Sequence, residues 1–217
     1  MVTEHNGRVR RALTESDLRR MRLPERFWTA STDEIHIEGE NRDKIARYID
    51  QLPDAMNRGL GLMLWGPNGR GKTAIAALVA KEAARWGYGC MFIRAADLVD
   101  RQFGKAVFDK DDGITVRARA RTVSLLVLDD LGKEHRDQHG FTVAEMEEFM
   151  RERISRRLVT VITTNMIPRD MGEVYKPSML EVMKESIYPL KCDGPDLRDE
   201  KRAAAAGFLE DVGAGDA

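Results

Sequence analysis

Along this chain, short apolar runs closed by glycine or acidic residues alternate with longer stretches in which apolar positions recur every three or four residues. GLMLWG, beginning at Gly61, has the unbroken apolar character of a buried strand. KTAIAALVAKEAARWG follows it, rich in Ala, Leu, Lys and Glu, and predicts a helix stopped by Gly87. YGCMFIR predicts a second strand and AADLVDRQF a second helix; SLLVLDD predicts a third strand. FTVAEMEEFMRERISRR gathers Met146, Met150 and Ile154 on one helical face, LVTVITTN predicts a fourth strand and ESIYPL a fifth. Upstream, NRDKIARYIDQLPDAMNRG spaces Ile45, Tyr48, Ile49 and Leu52 as one amphipathic helix ending near Gly59. GKAVFDKDDGITVRARARTV has no clear period and is expected to be a loop with a partly helical end. Strands alternating with helices imply a parallel sheet covered on both faces, an α/β domain.

The 217 residues suffice for one such domain with short extensions. Residues 1–40 read as a basic N-terminal extension, 41–200 as the core, and 201–217 as a tail expected to be frayed and disordered. The extension carries Arg8, Arg10, Arg11, Arg19, Arg20, Arg22 and Arg26, followed by Phe27 and Trp28. It is either a solvated helix with a tether or a docking arm for nucleic acid or a partner protein. The formal net charge of −1 means that any nucleic-acid contact must come from local patches. Cys90 and Cys192 fit neither a disulfide framework nor a metal motif and read as idle thiols in a reducing compartment. No apolar run is long enough to span a bilayer, and the polar start MVTEHNGRVRRAL lacks a secretory core, so a cytoplasmic location is expected.

Chemistry enters at residues 66–73, where GPNGRGKT matches G-x-x-x-x-G-K-[ST] in full, after a strand and before a helix. Gly66, Gly69 and Gly71 permit the tight turn and let backbone N–H groups close around phosphates, in a loop that also contains Pro67, Asn68 and Arg70. The helix through Thr73 and Ala74 aims its positive end at the same anion. Lys72 reaches the β- and γ-phosphates and the Thr73 hydroxyl is placed for Mg²⁺, so the ligands expected are ATP and Mg²⁺. Arg70 either faces solvent or adds charge to the loop.

LLVLDD ends a strand in two carboxylates. Beside a phosphate loop, Asp129 is the expected Mg²⁺ ligand, often through water, and Asp130 the group that polarises an attacking water. VITTN ends the next strand in polar residues. Asn165 either senses the γ-phosphate and the water or caps a turn before Pro168.

Read together, GLMLWGPNGRGKTAIAALVAKEAARWGYGCMFIRAADLV, LLVLDDLGKE, VTVITTN and GPDLR resemble the DnaC/IstB group of AAA+ ATPases over nearly the whole domain. The resemblance implies a P-loop NTPase of the AAA+ (ASCE) type with little or no C-terminal lid. It also implies an oligomer when ATP is bound, which grips single-stranded DNA and acts on a partner machine, a DnaB-type replicative helicase. By position, Asp129 and Asp130 match the family's Walker B acids, Asn165 its first sensor and Arg198 in GPDLR a late arginine of sensor 2 type. The group commonly places an arginine finger shortly after the first sensor. PSMLEVM at 177–183 puts Met179 there, with Lys176 and Lys184 nearby, which predicts slow hydrolysis.

For DNA, the expected contacts are Arg101, Lys105, Lys110, Arg117, Arg119 and Arg121, with RARAR spaced to follow a phosphate backbone. Asp109, Asp111 and Asp112 interrupt the patch, and a solvated loop is the alternative. A helicase loader is the leading functional reading and an IstB-like helper of a DNA transposase the second. A small-molecule kinase would need an arginine-rich lid that the sequence lacks.

Overall fold

A computed structural model describes residues 4–5, 7–31, 37, 39–102, 116–132 and 141–198. Two short strands, β1 (Glu4–His5) and β2 (Arg8–Val9), precede α1 (Glu15–Arg20), α2 (Glu40–Asp50) and α3 (Leu52–Arg58). Then come β3 (Gly61–Trp65), α4 (Lys72–Arg85), β4 (Cys90–Arg94), α5 (Ala95–Gln102), α6 (Val116–Thr122) and β5 (Leu125–Leu131). They are followed by α7 (Phe141–Ser155), β6 (Val159–Thr164), α8 (Pro177–Lys184) and β7 (Ile187–Lys191).

The strands β3–β7 form one sheet in the order β4-β5-β6-β3-β7, and every neighbouring pair is parallel. Its inner strands are buried on both faces, which explains their unbroken apolar text. Pro189 sits in β7 at one edge, where a missing ladder donor is tolerated. One consequence of the order decides the site. β6 lies between β3 and β5, so the polar end of β6 stands between the phosphate loop after β3 and the acids ending β5.

One apolar cluster joins α2, α3 and α4 to one face of the sheet; the other joins α5–α8 to the opposite face. The predicted single helix over 41–59 is two, broken at Gln51, because Pro53 in the first turn of α3 lacks the N–H needed to continue α2. A 3₁₀ turn over Pro168–Glu173 and α8 were not foreseen; both begin with proline at a helix start.

The N-terminal arginines do not form a free arm. Leu18, Met21, Leu23 and Ala30 are buried in the same cluster as α4, so residues 8–31 form a belt on the core. Phe92 N–H of edge strand β4 donates to the Met21 carbonyl (2.8 Å). Arg10 forms a fork on Glu82 of α4 at 2.6 and 2.9 Å, and Lys81 of α4 donates to the Trp28 and Ala30 carbonyls at 2.7 and 2.6 Å. Arg8 lies over the Tyr88 ring at 4.2 Å, Arg11 pairs with Asp17 at 2.7 Å, and Arg19 bonds Glu15 and stacks on Trp28. The charge run keeps most of its arginines exposed, as a solvated face would, but partners on α4 and within the belt tie it to the core, with Lys81 and Glu82 buried. Expectations for the tail at 201–217 lie outside the described residues.

Candidate functional site

The phosphate loop turns where its glycines stand. Gly66, Gly69 and Gly71 have φ of 139°, 81° and 74°, values that side-chain-bearing residues rarely adopt. Pro67 and Asn68 are exposed at the tip, and α4 begins at Lys72, so its first N–H groups and positive dipole end face the loop. The Lys72 ammonium is buried and donates to the carbonyls of Gly66 (2.8 Å) and Pro67 (2.6 Å), which holds its charge within the loop. Thr73 and Ala74 are half-buried in the first turn of α4.

Three strand ends converge next to this loop. The Thr73 hydroxyl donates to Asp129 Oδ1 at 2.9 Å, and the Thr163 hydroxyl at the end of β6 donates to the same oxygen at 2.6 Å. Thr163 Oγ1 in turn accepts the Asp130 N–H at 2.9 Å. Thr164 Oγ1 donates to the Leu131 carbonyl at 2.7 Å and accepts the Met166 N–H. Asp130 has φ of 58° where the β5–β6 register slips between Leu128 and Leu131. The slip rotates consecutive carboxylates apart, with Asp129 buried and Asp130 half-exposed. Burial pushes the Asp129 carboxyl above its ordinary range; the Thr163 and Thr73 hydroxyls oppose this, Asp130 adds to it, and the Arg26 charge opposes it. Arg26, Arg22 and Arg94 line a cavity of about 490 Å³ that reaches Asp129.

Asn165 Oδ1 is buried without a hydrogen-bond partner among the described residues. An unsatisfied buried acceptor beside a phosphate loop is costly unless a donor arrives there. A hydroxyl and a carboxylate 2.9 Å apart are hard oxygen donors, the set that suits Mg²⁺. No group of three or more His, Cys, Asp or Glu stands ready to hold a metal among the described residues, so an ion here would need phosphate oxygens and water to complete its shell.

The expected late arginine, Arg198, is exposed, and its segment lies against the phosphate loop. Leu197 N–H donates to the Gly69 carbonyl at 3.1 Å, and the Arg70 guanidinium bonds the Gly194 carbonyl. Arg70 therefore faces neither solvent alone nor the loop interior.

Two expectations are corrected. Met179 is fully buried in the cluster beneath α7 and α8, so it is no place from which a side chain reaches a neighbouring subunit. The RARAR stretch is the helix α6, whose arginines are committed inward. Arg119 is buried and donates to the Arg20 carbonyl at 2.7 Å; Arg121 pairs with Glu152 and covers the Phe149 ring at 5.6 Å. Arg117 is 3.9 Å from Glu145. A helix turns successive residues by 100°, so Arg119 points away from Arg117 and Arg121, and the three do not line up along one strand of phosphates. Lys105, Lys110 and the side chain of Arg101 lie outside the described residues. The thiols match expectation: Cys90 and Cys192 are both free and buried, and burial pushes each to about 12.

Sequence reading missed Thr163. The sign was the polar strand end VITTN, which did not distinguish Thr163 from Thr164 and Asn165.

A model of the family of IstB-like ATP binding proteins matches residues 2–181. The replicative helicase loader DnaI of Bacillus subtilis (strain 168) is 24% identical over 206 residues, an alignment covering 85% of this chain. The same alignment spans 63% of that relative, somewhat less than two thirds of its length. Among solved structures, DnaI superposes with a TM-score of 0.66 at 20% identity, covering 81% of this chain and 94% of that one. The DnaC helicase loader gives 0.64 at 22% identity, covering 78% of this chain and 100% of that one. AMPPCP-bound DnaA from Aquifex aeolicus gives 0.56 at 18% identity, covering 79% and 52%. These likenesses establish a shared P-loop fold of the AAA+ type. No helix among the described residues is long and apolar enough to cross a membrane.

Proposed function

Because the chain belongs to the family of IstB-like ATP binding proteins, within the AAA+ ATPases, we propose that it binds and hydrolyses Mg·ATP to load or remodel a replicative helicase on single-stranded DNA. The observation that carries the nucleotide chemistry is the convergence of the Thr73 and Thr163 hydroxyls on Asp129, beside the glycine loop. In this reading Lys72 and the loop N–H groups hold the phosphates. Thr73 and Asp129 hold Mg²⁺, which when bound supplies positive charge to the phosphate oxygens. Asp130, turned out of the strand by its left-handed backbone, faces the attacking water, and Asn165 Oδ1 accepts one of that water's hydrogens. Transfer of the γ-phosphoryl group to this water yields ADP and phosphate, so catalysis rests on positioning and electrostatics.

The loader reading draws on the likeness to a DnaI helicase loader, and the belt of residues 8–31 offers Arg20 and Arg26 as exposed cations for a partner. It implies a cytoplasmic protein that assembles with copies of itself when ATP is bound. The family match itself favours a second reading, an ATPase helper of a DNA transposase. Two assays separate them. Co-purification with the replicative helicase of the same cell, together with ATP turnover raised by single-stranded more than duplex DNA, supports the loader. Duplex preference with no helicase association supports the transposase helper.

A further inference from the structure

We propose that the main chain of Cys192–Leu197 is a positioning strap that fixes which way the peptides of the phosphate loop point; this rests on the ATP-binding reading above. Two main-chain bonds tie the strap to the loop's carbonyl face. Cys192 N–H donates to the Trp65 carbonyl at 2.7 Å, and Leu197 N–H donates to the Gly69 carbonyl at 3.1 Å. The Arg70 side chain adds a third tie, to the Gly194 carbonyl.

A trans peptide is planar, with its C=O and the following N–H on opposite sides. Holding the Gly69 carbonyl toward the strap therefore turns the Arg70 N–H away from it. Holding the Trp65 carbonyl does the same for the Gly66 N–H. A phosphate cradle needs N–H groups, not carbonyls, facing the anion. The loop cannot make this choice alone, since glycine at 69 and 71 lets the intervening peptides rotate at little cost. The strap makes it for them.

The strap is built to keep its place. It packs so closely that a Cβ on Gly69 would lie 1.9 Å from Asp196 Oδ1, and one on Gly71 would lie 3.3 Å from Leu197 Cδ1. Asp196 Oδ1 also accepts the Arg198 N–H at 3.0 Å, capping the helical turn that starts at Leu197.

Leu197→Pro removes the one donor to Gly69 at a position that starts a helical turn and so accepts proline. Leu197→Ala trims the side chain and keeps the donor. Calorimetric titration with Mg·ATP should show the proline variant binding about five- to tenfold more weakly than the alanine variant, the effect of about one hydrogen bond. Equal affinities in the two would overturn the proposal. Amide hydrogen exchange on the unmodified protein gives a second reading that needs no variant to fold. The Leu197 amide should exchange far more slowly than the neighbouring exposed amides, and rapid exchange would also overturn the proposal. Failure of the ATP-binding reading looks different: the unmodified protein would not bind Mg·ATP, or Lys72→Ala would bind it equally well, and both ideas would fall together.

Discussion

Replacing Thr163 by Val keeps the shape of a fully buried side chain and deletes one oxygen. That oxygen donates to Asp129 Oδ1 at 2.6 Å and accepts the Asp130 N–H at 2.9 Å. A hydrogen bond to a carboxylate contributes roughly 1.5–3 kcal/mol and one to a backbone amide about 1 kcal/mol, so the expected loss is about 2–4 kcal/mol. A domain of this size has about 5–15 kcal/mol to lose and still folds. Each kcal/mol shifts Tm by roughly 2–4 °C, which places the fall at about 5–15 °C. The functional effect is separate. Without this donor the Asp129 carboxyl keeps only the Thr73 hydroxyl of the two, and the Asp130 turn at φ 58° loses its anchor. Mg·ATP affinity should drop by about tenfold, the effect of roughly one misplaced ligand contact, and turnover should drop further. Thr160→Val is the control: its hydroxyl accepts from Arg153 at 3.0 Å and touches nothing in the site. It should lower Tm while leaving Mg·ATP affinity at the wild-type value. A Thr163→Val protein with unaltered Tm and turnover would refute the reasoning, because Thr163 would then not hold the acids.

Met179→Arg should destabilise the protein by several kcal/mol instead of raising its turnover, since an unpaired guanidinium would enter a fully buried position; a soluble, faster variant in a phosphate-release assay would contradict this. Replacing Arg119 and Arg121 by Ala should lower Tm, because these side chains tie α6 to the belt and to α7, and a DNA titration with unchanged stability and a flattened salt slope would return them to the DNA reading. Burial raises the Asp129 carboxyl, so between its unfolded and folded values the folded protein holds a proton that the unfolded chain has released. This group's contribution to folding therefore weakens as pH rises through its folded value. Metal-dependent ATP binding runs the other way and should weaken as pH falls through that same value, above the range of an ordinary carboxylate. Asp129→Asn should remove that component of the pH profile in a titration series.

The strand text, the phosphate loop and the two acids were legible because each is local: an apolar run, a glycine spacing, a carboxylate at a strand end. Asp129 and Thr73 are 56 residues apart, yet their pairing followed from two local motifs that the parallel sheet brings together. Partnerships without a local motif were not legible. Thr163 gains its role only because β6 lies between β3 and β5. The belt's ties to the core were not legible because Glu82 and the Trp86 and Gly87 carbonyls, which receive Arg10 and Arg8, are far away in sequence. Met179 was placed at the arginine-finger position because a resemblance by order carries no burial information. The helix break at Gln51 could have been seen, since Pro53 was in plain view.

The central claim is that residues 66–73, Asp129 and Asn165 together hold Mg·ATP, and isothermal titration with and without magnesium tests it most directly. The unmodified protein should bind ATP more tightly with the ion present. Lys72→Ala should abolish binding while keeping its fold. ATP binding that is absent from the unmodified protein, or unchanged by Lys72→Ala, would contradict it.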